Sequence, residues 1–267
     1  MAAPRFNRSD LRPAHYPARC TGLRSCGHRR GAFAEYRYVE RPLAAPGPCS
    51  HFRRHRRFSA AGRYTHAIKL LGALQVPFVA IPGNHDRRAL VRETFPDPTY
   101  GMADSALNTV RRIGGLDIFL IDSTVTGAAH GELDAPTLTW LDGTLGASTT
   151  RPAFLFLHHP PFDTGIVYTD AARLRNADAL AAVLRRHPRA LLIAAGHVHR
   201  AAQTVFAGIS ASICPAGEQA VTLEFEPRWP EVFRIDPPAF HLHAWLPGPG
   251  FGSVVTHLVP VGEFPGP

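Results

Sequence analysis

Cysteine is scarce in this chain, and its placement does not suit cross-linking. Of 4 cysteines, Cys20, Cys26 and Cys49 lie in the first 63 residues and Cys214 stands alone, which gives neither a disulfide framework nor a paired zinc-ligand spacing. Long apolar runs are missing as well. No stretch approaches the ~20 residues that span a bilayer and no signal-peptide core appears, so a soluble, cytoplasmic protein without a membrane partner is expected. A Gly-rich phosphate loop of the P-loop type is absent, as is any motif around a nucleophilic Ser or Cys.

Acidic residues are nearly missing from one quarter of the sequence. Residues 1–63 hold 14 of the 29 Lys+Arg but 3 of the 21 Asp+Glu, a net of +11, and the rest of the chain carries −3. The sequence pI of 9.9 therefore belongs to the first quarter. That segment also lacks an apolar period of 2 or 3.6, whereas everything from Tyr64 onward reads as regular α/β protein. Its length fits one substantial domain with a smaller C-terminal addition. The divisions expected are 1–63 as an aberrant basic segment, 64–245 as the main domain and 246–267 as a tail.

Within the regular part, Tyr64 to Leu74 reads as a helix with Ile68, Leu70 and Leu71 inward. Asp86 to Thr94 reads as a short helix. Asp134 caps a helix carrying Leu138, Leu141 and Leu145, with Pro136 in its first turn, and Asn176 caps another with Leu180, Val183 and Leu184 inward. Apolar runs at Val76–Ile81, Leu116–Asp122, Ala153–Leu157 and Ala190–Ala194 read as buried strands. Strands alternating with helices argue a layered α/β architecture. From Ala201 short strands follow, at Thr204–Phe206, Ala220–Phe225 and Phe240–Trp245, as for a second sheet or a capping element.

Three polar stretches stand where those strands end: Gly83-Asn84-His85-Asp86, His158-His159-Pro160-Pro161 and Gly196-His197-Val198-His199. Ligand sites in open α/β folds lie there. Neutral imidazole binds zinc, iron, manganese or cobalt, and His197-x-His199 on an extended turn can aim two rings at one or two ions. One histidine alone would indicate nothing; three such stretches in order point to a metal site. His241-x-His243, by contrast, alternates with Phe240 and Leu242 and reads as the polar face of a strand. Asp122-Ser123 reads equally as support for the site or as a cap.

On these blocks the chain resembles the calcineurin-like metallophosphoesterase superfamily, and within it the class III cyclic-nucleotide phosphodiesterase and glycerophosphodiesterase group, over about Tyr64 to Trp245. The resemblance implies an α/β fold, a layered β-sandwich flanked by helices, here with an incomplete N-terminal unit. It implies a phosphodiesterase with two divalent ions, Fe, Mn, Zn or Co, that share a hydroxide attacking the phosphorus in line. By carry-over Asn84, His158 and His197 ligate one metal and His199 its partner, with Asp10 as the candidate from the first block. His85 would stabilise the leaving oxygen, oriented by Asp86. His159 and Tyr168, with Asp163 and Asp170 nearby, are expected near substrate. The substrate expected is a small phosphodiester such as 3',5'-cyclic AMP or a glycerophosphodiester; the partners considered are further copies of the chain and not nucleic acid.

The family's first two blocks, D-x-H and Gly-Asp, should precede Tyr64. No Gly-Asp occurs there, and Asp10-Leu11-Arg12 has Arg where His belongs. A coding of residues 47–58, read one base later, gives DLVVTSGDIADS, a strand followed by the missing Gly-Asp. Residues 13–63 accordingly read as a frameshifted form of the family's first βαβ unit. The alternatives are a basic arm around Arg53-Arg54-His55-Arg56-Arg57 that binds nucleic acid or acidic surfaces, which would suit a catalytically impaired binding protein, or an organelle-targeting peptide.

Overall fold

The computed structural model describes residues 32–35, 60–101, 105–216, 219–226 and 233–263. In chain order the elements are β1 (Ala32–Glu35), α1 (Ala60–Leu71), α2 (Arg88–Thr94), β2 (Thr109–Ile113), β3 (Leu116–Ile121), α3 (Ala135–Gly146), β4 (Ala153–Leu157), α4 (Val167–Asp170), α5 (Ala177–Leu184), β5 (Ala190–Ala195), β6 (Ala202–Phe206), β7 (Ile209–Ile213), β8 (Ala220–Val221), β9 (Phe233–Arg234), β10 (Ala239–Leu246) and β11 (Ser253–Pro260).

The main sheet has six strands in the order β2-β3-β4-β5-β7-β6. Its centre, β3-β4-β5-β7, is parallel, and β2 and β6 close the edges antiparallel. Every residue of β3 and β4 is buried, as apolar strands covered on both faces require. Two tight hairpins build the edges: Gly114-Gly115 and Ala207-Gly208 each place two consecutive residues at positive φ, the backbone that a two-residue hairpin twisting with its strands needs. Sequence reading missed β2, one hairpin before the more apolar β3, and β7, whose Ser210 and Ser212 interrupt its apolar run.

One face of this sheet is covered by α3 and α5. Leu141, Leu145, Leu180 and Leu184 pack there on Phe119, Leu155 and Ile193. Asp134 caps α3 as expected, accepting from the Thr137 amide at 2.8 Å. Asn176 does not cap α5 with its side chain; it reaches across to Leu133, accepting from its N–H and donating to its C=O. The other face carries Leu116, Ile118, Leu120, Phe154, Phe156, Leu192 and Ala194, with Trp245 and Val254 against them. Those two belong to a second sheet, β1-β10-β11, so helices, sheet and sheet stack in layers.

Four expectations change here. The run Val76–Ile81 is in no sheet, and Val76, Phe78 and Val79 are 51, 40 and 42% exposed. Its composition is that of a strand, but a strand needs a neighbouring backbone, and none of the described residues supplies one. Ile68 on α1 is likewise exposed rather than inward. β11 lies in the stretch expected as a tail, and pairs with β10 along eight residues. His241 and His243 do occupy one face of β10, but it is the buried face, with His243 edge-on to Phe156.

Candidate metal centre

Three adjacent parallel strands, β3, β4 and β5, end side by side. Their next residues are Asp122, His158 and Gly196, so the parallel register alone brings the His-His doublet beside the Gly-His-Val-His loop. The Gly196 N–H donating to the His158 carbonyl at 3.0 Å seals that junction. His197 and His199 both sit at positive φ, 69° and 61°, a costly backbone for residues with a Cβ and one concentrated at functional sites. Val198 between them is buried and anchors the loop in the core.

His158 is the centre of the cluster. Its Nε2 lies 3.0 Å from Asn84 Oδ1 and 3.2 Å from His197 Nδ1. Metal–ligand bonds of about 2.1 Å put neighbouring donor atoms about 3.0–3.4 Å apart in octahedral or tetrahedral coordination. The spacing and the N,N,O donor set therefore fit a divalent ion held by Asn84, His158 and His197. No Asp or Glu of the described residues belongs to the histidine group found here.

Asn84 reaches the cluster on a turn with a demanding geometry. A Cβ on Gly83 would meet the His158 ring at 2.9 Å, so only glycine lets that backbone lie on the imidazole. Asp86 closes the turn. Its N–H donates to the Gly83 carbonyl, its Oδ2 accepts from the Gly83 N–H at 2.8 Å, and its Oδ1 accepts from the Tyr64 hydroxyl at 2.5 Å. Burial, and then the bond to Asp86, push the Tyr64 phenol upward, so it stays a donor. Asp86 thus shapes the turn through Oδ2 and ties it to α1 through Oδ1. His85 itself is exposed on that turn.

His159 differs from the role expected of it. It is fully buried, with Nδ1 2.8 Å from Ser123 Oγ and Nε2 3.2 Å from the Ala129 carbonyl. Ser123 Oγ also accepts from the His159 N–H, so its own proton goes to Nδ1 and the Nε2–H goes to Ala129. Burial holds the ring's pKa down to about 4. A neutral imidazole with both nitrogens engaged has no lone pair for a metal or a substrate, although its donor atoms lie within 4.8 Å of those of His158 and His197. It instead packs against both, 4.8 Å from each ring centre. Gly131 admits it, because a Cβ there would strike the ring at 2.5 Å.

The remaining candidates scatter. Asp10 lies outside the described residues. His199 is half-buried with its ring toward Phe233, outside the three-histidine group. Tyr168 stands exposed on α4. Asp163 pairs with Arg173, and Asp170 accepts from Thr164 and the Gly165 N–H, so both serve their own loop. The sequence gives no local signal for Gly131, whose contact with His159 is made only by folding.

A family profile described as Calcineurin-like phosphoesterase matches residues 53–201. A probable glycerophosphodiester phosphodiesterase of Arcobacter nitrofigilis is 30% identical over 205 residues, 76% of this chain and 73% of that protein. A 3',5'-cyclic adenosine monophosphate phosphodiesterase of Escherichia coli K12 is 32% identical over 53% of this chain, and a cAMP/cGMP dual specificity phosphodiesterase of Mycobacterium tuberculosis 36% identical over 56%. The matches to these two span about half of each relative, 50 and 49%. Phosphoesterases of this kind use divalent metals, which the convergent donor set accommodates. From the blocks, the fold and these relatives together, the chain belongs to the calcineurin-like phosphoesterase family.

Proposed function

We propose that this chain hydrolyses small phosphodiesters, of the cyclic-nucleotide or glycerophosphodiester class for which its relatives are named. The observation that carries the reading is the convergence of Asn84 Oδ1, His158 Nε2 and His197 Nδ1 within 3.2 Å contacts. A divalent ion held there supplies Lewis acidity toward a phosphoryl oxygen and acidifies water. The chain's own part is to present three neutral donors at fixed spacing and to exclude His159 from competition by burying it. His85, exposed on the turn beside Asn84, faces the phosphate and steadies charge on the leaving oxygen, a general-acid contribution of about 10² to 10⁴ in rate. His199 and Asp10 would be what this chain keeps of a second metal position, and Tyr168 borders the substrate.

A second reading rests on what the chain lacks. Without D-x-H and Gly-Asp, one metal position and the carboxylate joining the two are missing, and the basic first quarter would make the protein a binder with feeble catalysis. Metal analysis with bis-p-nitrophenyl phosphate turnover separates the two. Bound metal with turnover supports the hydrolase, and His158→Ala should then abolish both. Unchanged metal content in that variant removes His158 from the site, and no metal with no turnover in the parent favours the binder.

A further inference from the structure

The turn that carries Asn84 and His85 has an unusual support. In the described residues the segment leading into it, Val76–Ile81, joins no sheet, so no ladder hydrogen bonds fix the turn's approach. Its exit is held by side chains instead. Arg88, two residues past Asp86 and first in α2, donates Nε to Asp122 Oδ2 at 2.6 Å and Nη2 to the Thr124 carbonyl at 2.6 Å. Asp122 is fully buried at the end of β3 and saturated. It accepts further from the Leu107 N–H, the Thr124 N–H and the Thr124 hydroxyl. A carboxylate this enclosed requires its cation.

The same short segment reaches the other half of the site. Ser123, next to Asp122, holds His159, and Thr124 forms a bridge to Gly131, on which the His159 ring rests. His159 in turn packs on His158 and His197. Residues 122–124 therefore hold Arg88, just past the turn, through Asp122 and Thr124, and the histidine cluster through Ser123.

We propose that Arg88 and Asp122 are positioning residues, which hold the Gly83–Asp86 turn and its His85 in register with His158 and His197. The catalytic half of this proposal rests on the phosphodiesterase reading above; the mechanical half does not. Arg's two-pronged contact is the part that lysine cannot reproduce, since a single ammonium cannot span Asp122 and the Thr124 carbonyl in the same planar fork.

The test uses the full chain with Arg88→Gln, Arg88→Lys and Asp122→Asn. Hydrogen exchange read by mass spectrometry should speed up on the order of 10-fold at the Gly83 and Asp86 amides in Arg88→Gln and Asp122→Asn, while β4 stays protected. Arg88→Lys should fall between. With manganese loaded, Arg88→Gln should lose on the order of 10²-fold in turnover of an alkyl phosphodiester. It should lose far less with a p-nitrophenyl diester, whose leaving oxygen needs little help. In a His85→Ala background the same substitution should cost well under what it costs in the parent, because the part of the loss that runs through His85 is already gone and only the part that runs through Asn84 remains. Unchanged exchange at the turn, or losses from Arg88→Gln and His85→Ala that multiply, overturns the proposal. If the parent chain turns over neither diester, the functional reading fails, and the exchange experiment still decides whether the brace exists.

Discussion

Gly83 shows how much of a metal site is decided by a residue that offers no donor atom. It lies against the His158 imidazole so closely that a methyl group would sit 2.9 Å from the ring. His158 cannot step aside freely, because the buried His159 and the His197 ring pack on it. Gly83→Ala should therefore tilt His158 away from Asn84 and weaken metal binding by about 10- to 100-fold, the range found when groups supporting ligands are disturbed. Titration calorimetry with manganese, alongside a melting curve, checks this. An alanine variant with unchanged affinity would mean that the Gly83 contact does not set the ring's position. Glycine was visible in the motif, but its reason was not, since the reason is a contact across 75 positions of chain. His159 makes the complementary point. A His-His doublet at a strand end does not tell which ring faces outward; alternation along the chain, with Ser123 and Gly131 waiting on the inner side, decides it.

At the scale of elements, strands with strong apolar runs were legible, and so were the loops after them. β3, β4 and β5 place His158 and His197 where the reading of the sequence placed them. Edge strands β2 and β11 were not, because half of each is solvent-facing or polar and the signal for pairing lies in the partner, and neither was the inner strand β7, whose serines interrupt its apolar run. The face of β10 was inverted: alternation identified one face for His241 and His243 but could not say which side the main sheet covers. That inversion has a consequence for pH. His241 is buried, its Nδ1 has no hydrogen-bond partner among the described residues, and burial with nearby His243 holds its pKa down to about 4. Opposite it stand Leu258 on β11 and Glu35 on β1. In the unfolded chain the same ring titrates near 6.5. Above that pH both states are neutral and the group contributes nothing. As pH falls from about 6.5 toward 4 the unfolded chain takes up a proton that the folded one refuses, and stability drops by up to about 1.4 kcal/mol per pH unit. His241→Leu should remove this slope. Urea denaturation at pH 7.5 and pH 5 should show the variant gaining on the parent at the lower pH; parallel losses in both proteins would assign the acid sensitivity elsewhere.

The whole molecule is uneven in a way that the separate elements do not reveal. The centre of the main sheet is buried at β3, β4, β5 and most of β7, and exposed large apolar side chains lie on edge strand β2 at Ile113, at Val205 and along residues 223–261; ahead of these, Ile68, Val76, Phe78 and Val79 stand exposed close together in sequence. Exposed apolar residues on a strand-like run with no neighbouring strand are a surface that something is expected to cover. The patch follows directly on the stretch whose charge, composition and lack of periodicity break from the rest, and in which the family's D-x-H and Gly-Asp blocks should stand. We propose that residues 13–63 are the shifted reading of a strand–helix–strand unit that would pair with Val76–Ile81 and carry the second set of metal ligands. With the frame restored across that segment and Arg12 replaced by histidine, the Val76–Ile81 run should gain a ladder, and the protein should bind two divalent ions where the chain as written binds at most one. Metal stoichiometry by elemental analysis and turnover of a phosphodiester read the difference, and the coding DNA for residues 10–64 reads the cause. A shifted frame that encodes no Gly-Asp, or two tightly bound ions and full turnover in the chain as written, would show that the basic segment is native. The first quarter would then have to supply both the missing ligands and the cover for Val76 and Phe78 by some other arrangement of its arginines and prolines.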